Sequence, residues 1–166
     1  MGFNMSEQEL IIQIKNELTN KKMKLATAES ASCGYLANLI GSVSGISKIY
    51  NGGTIVYSEL AKNRILKISK RLLRKYGTIS KECVEKMVTK TAYILKSTNV
   101  IAISGNAGPD GIENKDVGCF YCGIMVDGRI TVDMVEVDKK LNRDRMRSKV
   151  VEYCLQKMLD ELKKLK

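Results

Sequence analysis

Helix-forming and strand-forming segments alternate along the first two-thirds of this sequence, and that alternation restricts the fold more than any other feature. Apolar residues recur at helical spacing from Ser6 to about Lys21, and a short apolar strand follows over residues 24–28. A strand-forming run at residues 54–57 and an apolar run at 100–104 are each preceded by a helical segment. Strands connected through helices form parallel sheets, so we expect an α/β protein.

The last third of the sequence adds an antiparallel element. Two apolar runs, residues 117–126 and 130–137, meet at Asp127-Gly128, and Asp-Gly between such runs is a strong hairpin signal. A long amphipathic segment from about Asn142 to Lys164 follows as a helix. We therefore predict a three-layer α-β-α sandwich with a mixed, mostly parallel sheet that includes one antiparallel hairpin.

Serine residues mark three of the predicted helix starts. Ser6 and Ser80 each precede an acidic residue and an apolar periodic run, which is typical of N-caps. A third helix is expected to begin near Ser58 or Glu59 and to carry Lys62 in its first turns.

Length and composition favour one domain. A chain of 166 residues with 44% hydrophobic residues can bury a single core, and its only proline is Pro109. No Pro-rich or low-complexity linker divides it, so residues 1–166 are expected to form one domain.

Basic residues outnumber acidic ones, 28 to 18, which gives a formal net charge of +10. Such a charge favours association with anions, which could be phosphates, nucleic acid or acidic surfaces. Because much of the excess lies on predicted helix faces, a solvated basic surface is the favoured interpretation. We expect no specific nucleic-acid partner.

The sequence has no apolar stretch near the roughly 20 residues that a membrane helix needs, so we expect no membrane partner and a cytoplasmic protein. Its five cysteines are an odd number in apolar contexts, which indicates reduced thiols rather than a disulfide framework. Cys119 and Cys122 have metal-like spacing, but with no second pair and no histidine they are interpreted as core thiols.

Three polar pairs are predicted at strand ends, namely Glu29-Ser30, Tyr57-Ser58 and Ser104-Gly105. In sheets of this type ligands gather at the carboxyl ends of the strands, so these pairs should converge on one edge. The chain contains no histidine, which removes the commonest general base. A serine activated by a desolvated lysine remains possible.

Several short blocks, in order, resemble the CinA C-terminal domain family over about residues 6–160. They are Thr27-Ala28-Glu29-Ser30, Gly45-Ile46-Ser47, Gly53, Val56-Tyr57-Ser58, Ala61-Lys62, Tyr76-Gly77, Ser80, residues 104–111, Lys115 and Val117-Gly118. The resemblance implies a nicotinamide mononucleotide amidohydrolase without a metal or organic cofactor. The family's nucleophile, base and supporting tyrosine match Ser47, Lys62 and Tyr57. Its substrate-binding positions match Glu29, Ser30, Ser104, Gly105 and Arg143.

These matches suggest roles. Lys62 would take the proton of Ser47, which would attack the carboxamide carbon. Tyr57 would hydrogen-bond the lysine or the oxyanion, and backbone N–H groups near Ser30 or Gly105 would complete an oxyanion site. Arg143 would bind the phosphate. The expected partner is a nucleotide substrate, and a homo-oligomer is expected.

The sequence departs from the family pattern at Cys33, where glycine is usual, at Asn106, where isoleucine is usual, and at Asp116, where proline is usual. These changes motivate an alternative, a nucleotide-binding or regulatory module of the same fold with little or no turnover. A third hypothesis, nucleic-acid binding, rests on the net charge and has no recognisable reading motif behind it.

Overall fold

The computed structural model describes residues 5–165. In this part of the chain the helices are α1 (Glu7–Asn20), α2 (Tyr35–Gly41), α3 (Glu59–Arg64), α4 (Lys70–Tyr76), α5 (Lys81–Ile94) and α6 (Arg143–Lys164). The strands are β1 (Leu25–Glu29), β2 (Tyr50–Ile55), β3 (Asn99–Gly105), β4 (Cys119–Val126) and β5 (Arg129–Glu136). A single 3₁₀ turn, Ile46–Lys48, lies just before β2.

The predicted helix starts are confirmed. Ser6 caps α1 in a capping box, because its hydroxyl accepts from the Glu9 amide while the Glu9 carboxylate accepts from the Ser6 amide. Ser58 caps α3, where its hydroxyl accepts from the Ala61 amide, and Ser80 caps α5, where its hydroxyl accepts from the Cys83 amide. Each cap satisfies an amide that the first helical turn leaves without a partner.

The five strands form one mixed sheet in the order β2-β1-β3-β4-β5. β1 pairs in parallel with β2 and with β3, whereas the pairs β3-β4 and β4-β5 are antiparallel. The hairpin prediction is confirmed, with both Asp127 and Gly128 at positive φ, as a tight two-residue turn requires. The expectation of a mostly parallel sheet is wrong, because the hairpin attaches to β3 antiparallel and makes the two kinds of pair equal in number.

Strand β2 begins earlier than the sequence suggests, at Tyr50, and ends at Ile55 instead of reaching Tyr57. Gly53 lies inside this strand and faces β1 so closely that a Cβ would collide with the side chains of Thr27 and Tyr50. Glycine is therefore part of the strand here rather than of a preceding loop.

Alternating side chains of the sheet pack on two separate clusters. Ile101 and Ile103 of β3 face a core that α1, α2 and α6 help to build. Val100 and Ala102 face the other core, which includes α4 and α5. Helices thus flank both faces of the sheet. Within residues 5–165, none of the helices has the length and apolar character that a membrane span requires.

The register of the parallel strands brings their carboxyl ends to one edge. Glu29, the last residue of β1, pairs with Ile55 on one side and with Ile103 on the other. The segments that follow these residues therefore start side by side, and this edge carries the candidate site.

Candidate active site

A cavity opens at the carboxyl edge of the parallel strands, where the sequence predicts that polar turns converge. It is lined by Ser30, Ala31, Tyr57, Thr78, Ile79, Ser104, Gly105, Asn106, Ala107, Ile112 and Arg143. The lining comes from the segments that follow β1, β2 and β3, together with the loop before α5 and the start of α6. The predicted convergence is confirmed.

Lys62 is the buried residue of α3, with only 1% of its surface exposed. Its Nζ donates to Ser30 Oγ at 2.8 Å and to the backbone carbonyl of Val56 at 2.8 Å. A third, longer hydrogen bond of 3.3 Å reaches the carbonyl of Tyr57. A lysine buried without a carboxylate hydrogen-bonded to it is costly to keep charged, which makes this position a candidate functional residue.

Burial lowers the pKa of Lys62 below the usual lysine value. Negative charge on the nearby Cys83 or Glu113 would act in the opposite direction, more weakly, by favouring the charged amine. Burial also raises the pKa of Cys83 to about 11, so this thiol is neutral near physiological pH. Desolvation is thus the dominant influence on Lys62 and moves it toward the neutral form that a general base needs.

Ser30 lies on the turn that follows β1, and only 7% of its surface is exposed. Its backbone amide donates to the carbonyl of Ile103 at 2.9 Å, which fixes the start of the turn against β3. The hydroxyl is left to face Lys62 and, at 3.4 Å, the carbonyl of Tyr57. A serine hydroxyl, a buried amine and a cavity therefore meet at one point.

At least two backbone amides of the cavity lining have no acceptor within residues 5–165. They belong to Ala31, which directly follows Ser30, and to Ala107, on the segment that follows β3. Both residues line the cavity. Free N–H groups that line a cavity are donors of the kind that an oxyanion site requires.

Ser47 lies elsewhere. It belongs to the exposed 3₁₀ turn before β2, whereas Lys62 follows that strand. The five steps from Tyr50 to Ile55 span about 16 Å at ~3.3 Å per residue, so the two residues lie at opposite edges of the sheet. The expected transfer of the Ser47 proton to Lys62 does not fit this arrangement, and the hydroxyl at Lys62 is that of Ser30.

Glu29 also differs from expectation. Its carboxylate, 1% exposed, accepts from the amides of Gly34, Leu36 and Ala37. It therefore caps α2, whose preceding glycine has no side chain to do so. The side chain holds the turn after β1 to the next helix and does not line the cavity, which corrects its interpretation as a substrate-binding group.

Ser104 and Gly105 end β3 inside the cavity. Ser104 Oγ donates to the carbonyl of Thr78 at 2.7 Å and so ties β3 to the segment before α5. At Gly105 a Cβ would collide with the ring of Phe120, so the close approach of β4 requires glycine.

Tyr57 and Arg143 meet at the mouth of the cavity. Arg143 Nη2 donates to Tyr57 Oη at 2.9 Å, and Nη1 donates to the carbonyl of Gly108 at 2.6 Å. Both residues are exposed, so the guanidinium lies where a phosphate could reach it from solvent. Tyr57 contributes its carbonyl, rather than its hydroxyl, to Lys62.

The three departures from the family pattern have different structural roles. Cys33 is exposed at φ 48°, a left-handed conformation that favours glycine. Asn106 is buried and its side chain bonds the carbonyls of Asp110 and Lys115 and the amide of Gly108. Asp116 is exposed outside the cavity lining. The amide of Asn106 therefore holds its own loop and is not directed at a phosphate.

Glu113 ties the loop after β3 to the segment before α5, and it is a residue that the sequence analysis does not single out. Its carboxylate accepts from the amides of Thr78 and Ile79 and from the Thr78 hydroxyl. Glu113 and Asn114 lie in this loop at φ 53° and 58°, a left-handed conformation that their residue types do not predict. In the described part of the chain, no group of three or more His, Cys, Asp or Glu side chains is arranged to hold a metal ion.

Comparison with known proteins gives a consistent picture. Residues 7–162 match the family model described as the CinA C-terminal domain. A competence-damage inducible protein of Clostridium perfringens is 34% identical over 149 residues, which is 89% of this chain and 36% of that protein. A CinA-like protein of Flavobacterium psychrophilum is 32% identical over 165 residues, 99% of this chain and 38% of that protein. The chain thus spans between a third and two-fifths of the length of these relatives.

Solved structures agree with the fold. The competence-damaged protein (CinA) superfamily protein of Enterobacter cloacae superposes with a TM-score of 0.93 at 26% identity, covering 98% of this chain and 95% of that one. The competence damage-inducible protein A of Klebsiella pneumoniae gives a TM-score of 0.93 at 23% identity, over 98% of this chain and 100% of that one, which supports the fold alone.

Proposed function

The chain belongs to the CinA C-terminal domain family, and on that premise we propose that it hydrolyses the carboxamide of nicotinamide mononucleotide, releasing nicotinic acid mononucleotide and ammonia. One observation carries the proposal. The Nζ of the buried Lys62 lies 2.8 Å from Ser30 Oγ at the cavity wall. We assign Ser30 as the nucleophile and Lys62 as its base.

The partners of Lys62 suit a base that gains and loses a proton in place. The carbonyls of Val56 and Tyr57 can only accept, so the amine donates to them in both protonation states. The third hydrogen-bonding position of Nζ faces Ser30 Oγ. This hydroxyl can accept from an ammonium or donate to a neutral amine. Proton transfer along this contact therefore needs no movement of the lysine.

The reaction then follows in two halves. Neutral Lys62 takes the hydroxyl proton as Ser30 Oγ bonds to the carboxamide carbon, and the carbonyl oxygen becomes an oxyanion. Protonated Lys62 returns that proton to the departing nitrogen, which leaves as ammonia. A water molecule, deprotonated by Lys62, attacks the resulting ester and releases the carboxylic acid and Ser30. Lys62 and Ser30 carry every proton transfer.

The free amides of Ala31 and Ala107 are the proposed oxyanion donors. Losing one donor of this kind typically costs about 2.7–4 kcal/mol of transition-state stabilisation. Because Ala31 follows the nucleophile directly, its N–H moves with Ser30, as the geometry of acyl transfer requires.

The rim of the cavity is proposed to bind the phosphate of the substrate, and its walls are proposed to bind the ring. Arg143 would exchange its bond to Tyr57 for the phosphate, since a bidentate contact to an anion is stronger than one to a neutral hydroxyl. Ile79 and Ile112 offer apolar walls to the pyridine ring, while Ser104 and Gly105 shape the floor.

A second candidate, a nucleotide-binding module with little turnover, is favoured by one feature of Lys62. Its Nζ has three acceptors, which is the number that a charged ammonium can satisfy, and a charged lysine is no base. The two candidates share the cavity and differ only in whether the amine loses its proton.

The test is ammonia release from nicotinamide mononucleotide, with the product identified by mass, using nicotinamide riboside as a matched substrate that lacks the phosphate. The proposal predicts turnover of the nucleotide, with KM raised for the riboside and for Arg143→Ala. If the nucleotide binds and yields no ammonia under conditions where the protein is folded, the binding module replaces the enzyme.

A further inference from the structure

We propose that Arg147, which neither the family match nor the cavity singles out, is a positioning residue for the turn of residues 30–34. Its Nη2 lies 2.6 Å from the carbonyl oxygen of Ser32, and its Nε lies 3.2 Å from the same atom. Arg147 does not line the cavity, so it acts on the reaction only through this turn. Its effect on turnover rests on the proposed function, whereas its hold on the turn does not.

The turn needs an external hold because its own conformation is unfavourable. Cys33 lies at φ 48°, where a side chain is strained, and Gly34 follows at φ 89°. Within the turn, the amide of Cys33 donates to the Ser30 carbonyl and that of Tyr35 donates to the Ser32 carbonyl. Such a strained segment persists only when its surroundings fix it.

Two charged side chains fix the turn from different elements. The Glu29 carboxylate accepts from amides at the carboxyl-terminal end of the turn, beginning with that of Gly34. The Arg147 guanidinium binds the carbonyl of Ser32, whose residue is fully buried. Hydrogen bonds to charged groups are stronger than neutral ones, so this pair of contacts can hold a strained turn.

Arg147 is itself held in place by its neighbours. The guanidinium lies over the ring of Tyr35, with 5.8 Å from its central carbon to the ring centre. The Tyr35 hydroxyl donates to Glu7, and the same carboxylate accepts from Ser148. Residues of α1, α2 and α6 are thus linked around the guanidinium that binds the Ser32 carbonyl.

The consequence for the reaction is geometric. The turn carries both the Ser30 hydroxyl and the free N–H of Ala31, so any shift of it moves the nucleophile and an oxyanion donor together. Misplacement of reacting groups by about 1 Å can cost on the order of 100-fold in rate. Binding of the phosphate at Arg143 would be unaffected, so kcat should fall while KM stays.

The test compares Arg147→Ala with Arg145→Ala, since Arg145 is an exposed neighbour on α6 whose side chain makes no hydrogen bond or ion pair within residues 5–165. Amide hydrogen exchange at Cys33 and Tyr35 should be about 10-fold faster or more in Arg147→Ala, and unchanged in the control. Amides of α5 should exchange at the wild-type rate in both, which shows that the fold is intact.

Kinetics supply the second measurement. In Arg147→Ala we expect kcat about 10- to 100-fold lower, KM within about 3-fold, and partial recovery with added guanidinium ion. Should Arg147→Ala fail to fold, Arg147→Lys keeps the charge but loses the two-donor contact, and the same acceleration of exchange is expected.

Unchanged exchange at Cys33 and Tyr35 in folded Arg147→Ala or Arg147→Lys would overturn the inference, whatever the activity. Faster exchange together with no ammonia release by the wild type would support the inference and reject the proposed function. The two ideas therefore fail through different results.

Discussion

Lys62 Nζ and Ser30 Oγ lie 2.8 Å apart although their residues are separated by 32 positions in the sequence. Ser30 follows β1 and Lys62 lies on the helix that follows β2, and these two strands are parallel neighbours. The contact thus depends on the pairing of the strands, which brings their carboxyl ends together. Two groups that are unreactive alone become a nucleophile and its base in our account.

Replacing Lys62 by arginine should abolish nearly all turnover. The guanidinium keeps the positive charge but cannot lose a proton near neutral pH, so Ser30 would have no base. We expect ammonia release to fall at least about 1,000-fold, measured beside Lys67→Arg, an exposed lysine just beyond the same helix. Comparable rates for Lys62→Arg and the wild type would exclude the lysine as the base.

The pH dependence of kcat/KM should have an acidic limb set by Lys62. Only the neutral amine accepts the Ser30 proton, so the rate should rise with pH through the lysine pKa and then level off. Because burial lowers that pKa, the plateau should begin below the usual lysine range. A rate that continues to rise up to the ordinary lysine pKa would contradict a desolvated amine.

The lowered pKa of Lys62 also makes the free energy of unfolding depend on pH. The unfolded chain, with an ordinary lysine pKa, binds more protons than the folded one between the lowered pKa and the ordinary value of 10.5. Stability should therefore rise with pH across that window. The difference in unfolding free energy between wild type and Lys62→Met, followed by urea denaturation, should show this slope and be flat below the window.

Cys33→Gly should stabilise the protein by about 0.5–1 kcal/mol, because glycine removes the strain of a side chain at φ 48° at a smaller entropic cost. Cys33→Ala should give no gain, since alanine keeps the Cβ. Lys22→Gly, an exposed residue at φ 55° in a turn outside the site, is the matched control for stability. We expect kcat/KM to rise only in Cys33→Gly, and an equal change in Lys22→Gly would show that the effect is general.

Asn106→Ile should destabilise the protein by about 1–3 kcal/mol and lower activity, although the resemblance to the family implies isoleucine at this position. The replacement removes the hydrogen bonds to the carbonyls of Asp110 and Lys115 and leaves the buried Gly108 amide without its acceptor. Asn106→Asp keeps the acceptor for Gly108 and should be less harmful. Thermal unfolding and ammonia release should both rank the wild type first, Asn106→Asp second and Asn106→Ile last. If Asn106→Ile is as stable as the wild type and more active, Asn106 does not hold this loop.

Much of the fold follows from local signals in the sequence. The caps at Ser6 and Ser80 and the turn at Asp127-Gly128 are short-range patterns, and the structure confirms each of them. The equal number of parallel and antiparallel strand pairs is harder to predict, because it depends on the hairpin pairing with β3.

The site was less predictable, for two physical reasons. The two ends of a strand lie at opposite edges of a sheet, so placing Ser47 correctly required knowing that β2 starts as early as Tyr50. Once that start is known, Ser30 and Lys62 are the pair that shares an edge. The roles of Glu29 and Asn106 depend on which backbone groups a folded loop presents, and no spacing in the sequence encodes that.

Ammonia release from nicotinamide mononucleotide by Ser30→Ala and Ser47→Ala, assayed side by side with the wild type, tests the central claim most directly. Ser47 is an exposed serine at the opposite edge of the sheet, so its replacement removes the same hydroxyl group far from Lys62 and serves as the control. We predict that Ser30→Ala loses turnover by at least about 1,000-fold while Ser47→Ala keeps a rate within about 3-fold of the wild type. The reverse pattern, with activity lost in Ser47→Ala and retained in Ser30→Ala, would contradict the account.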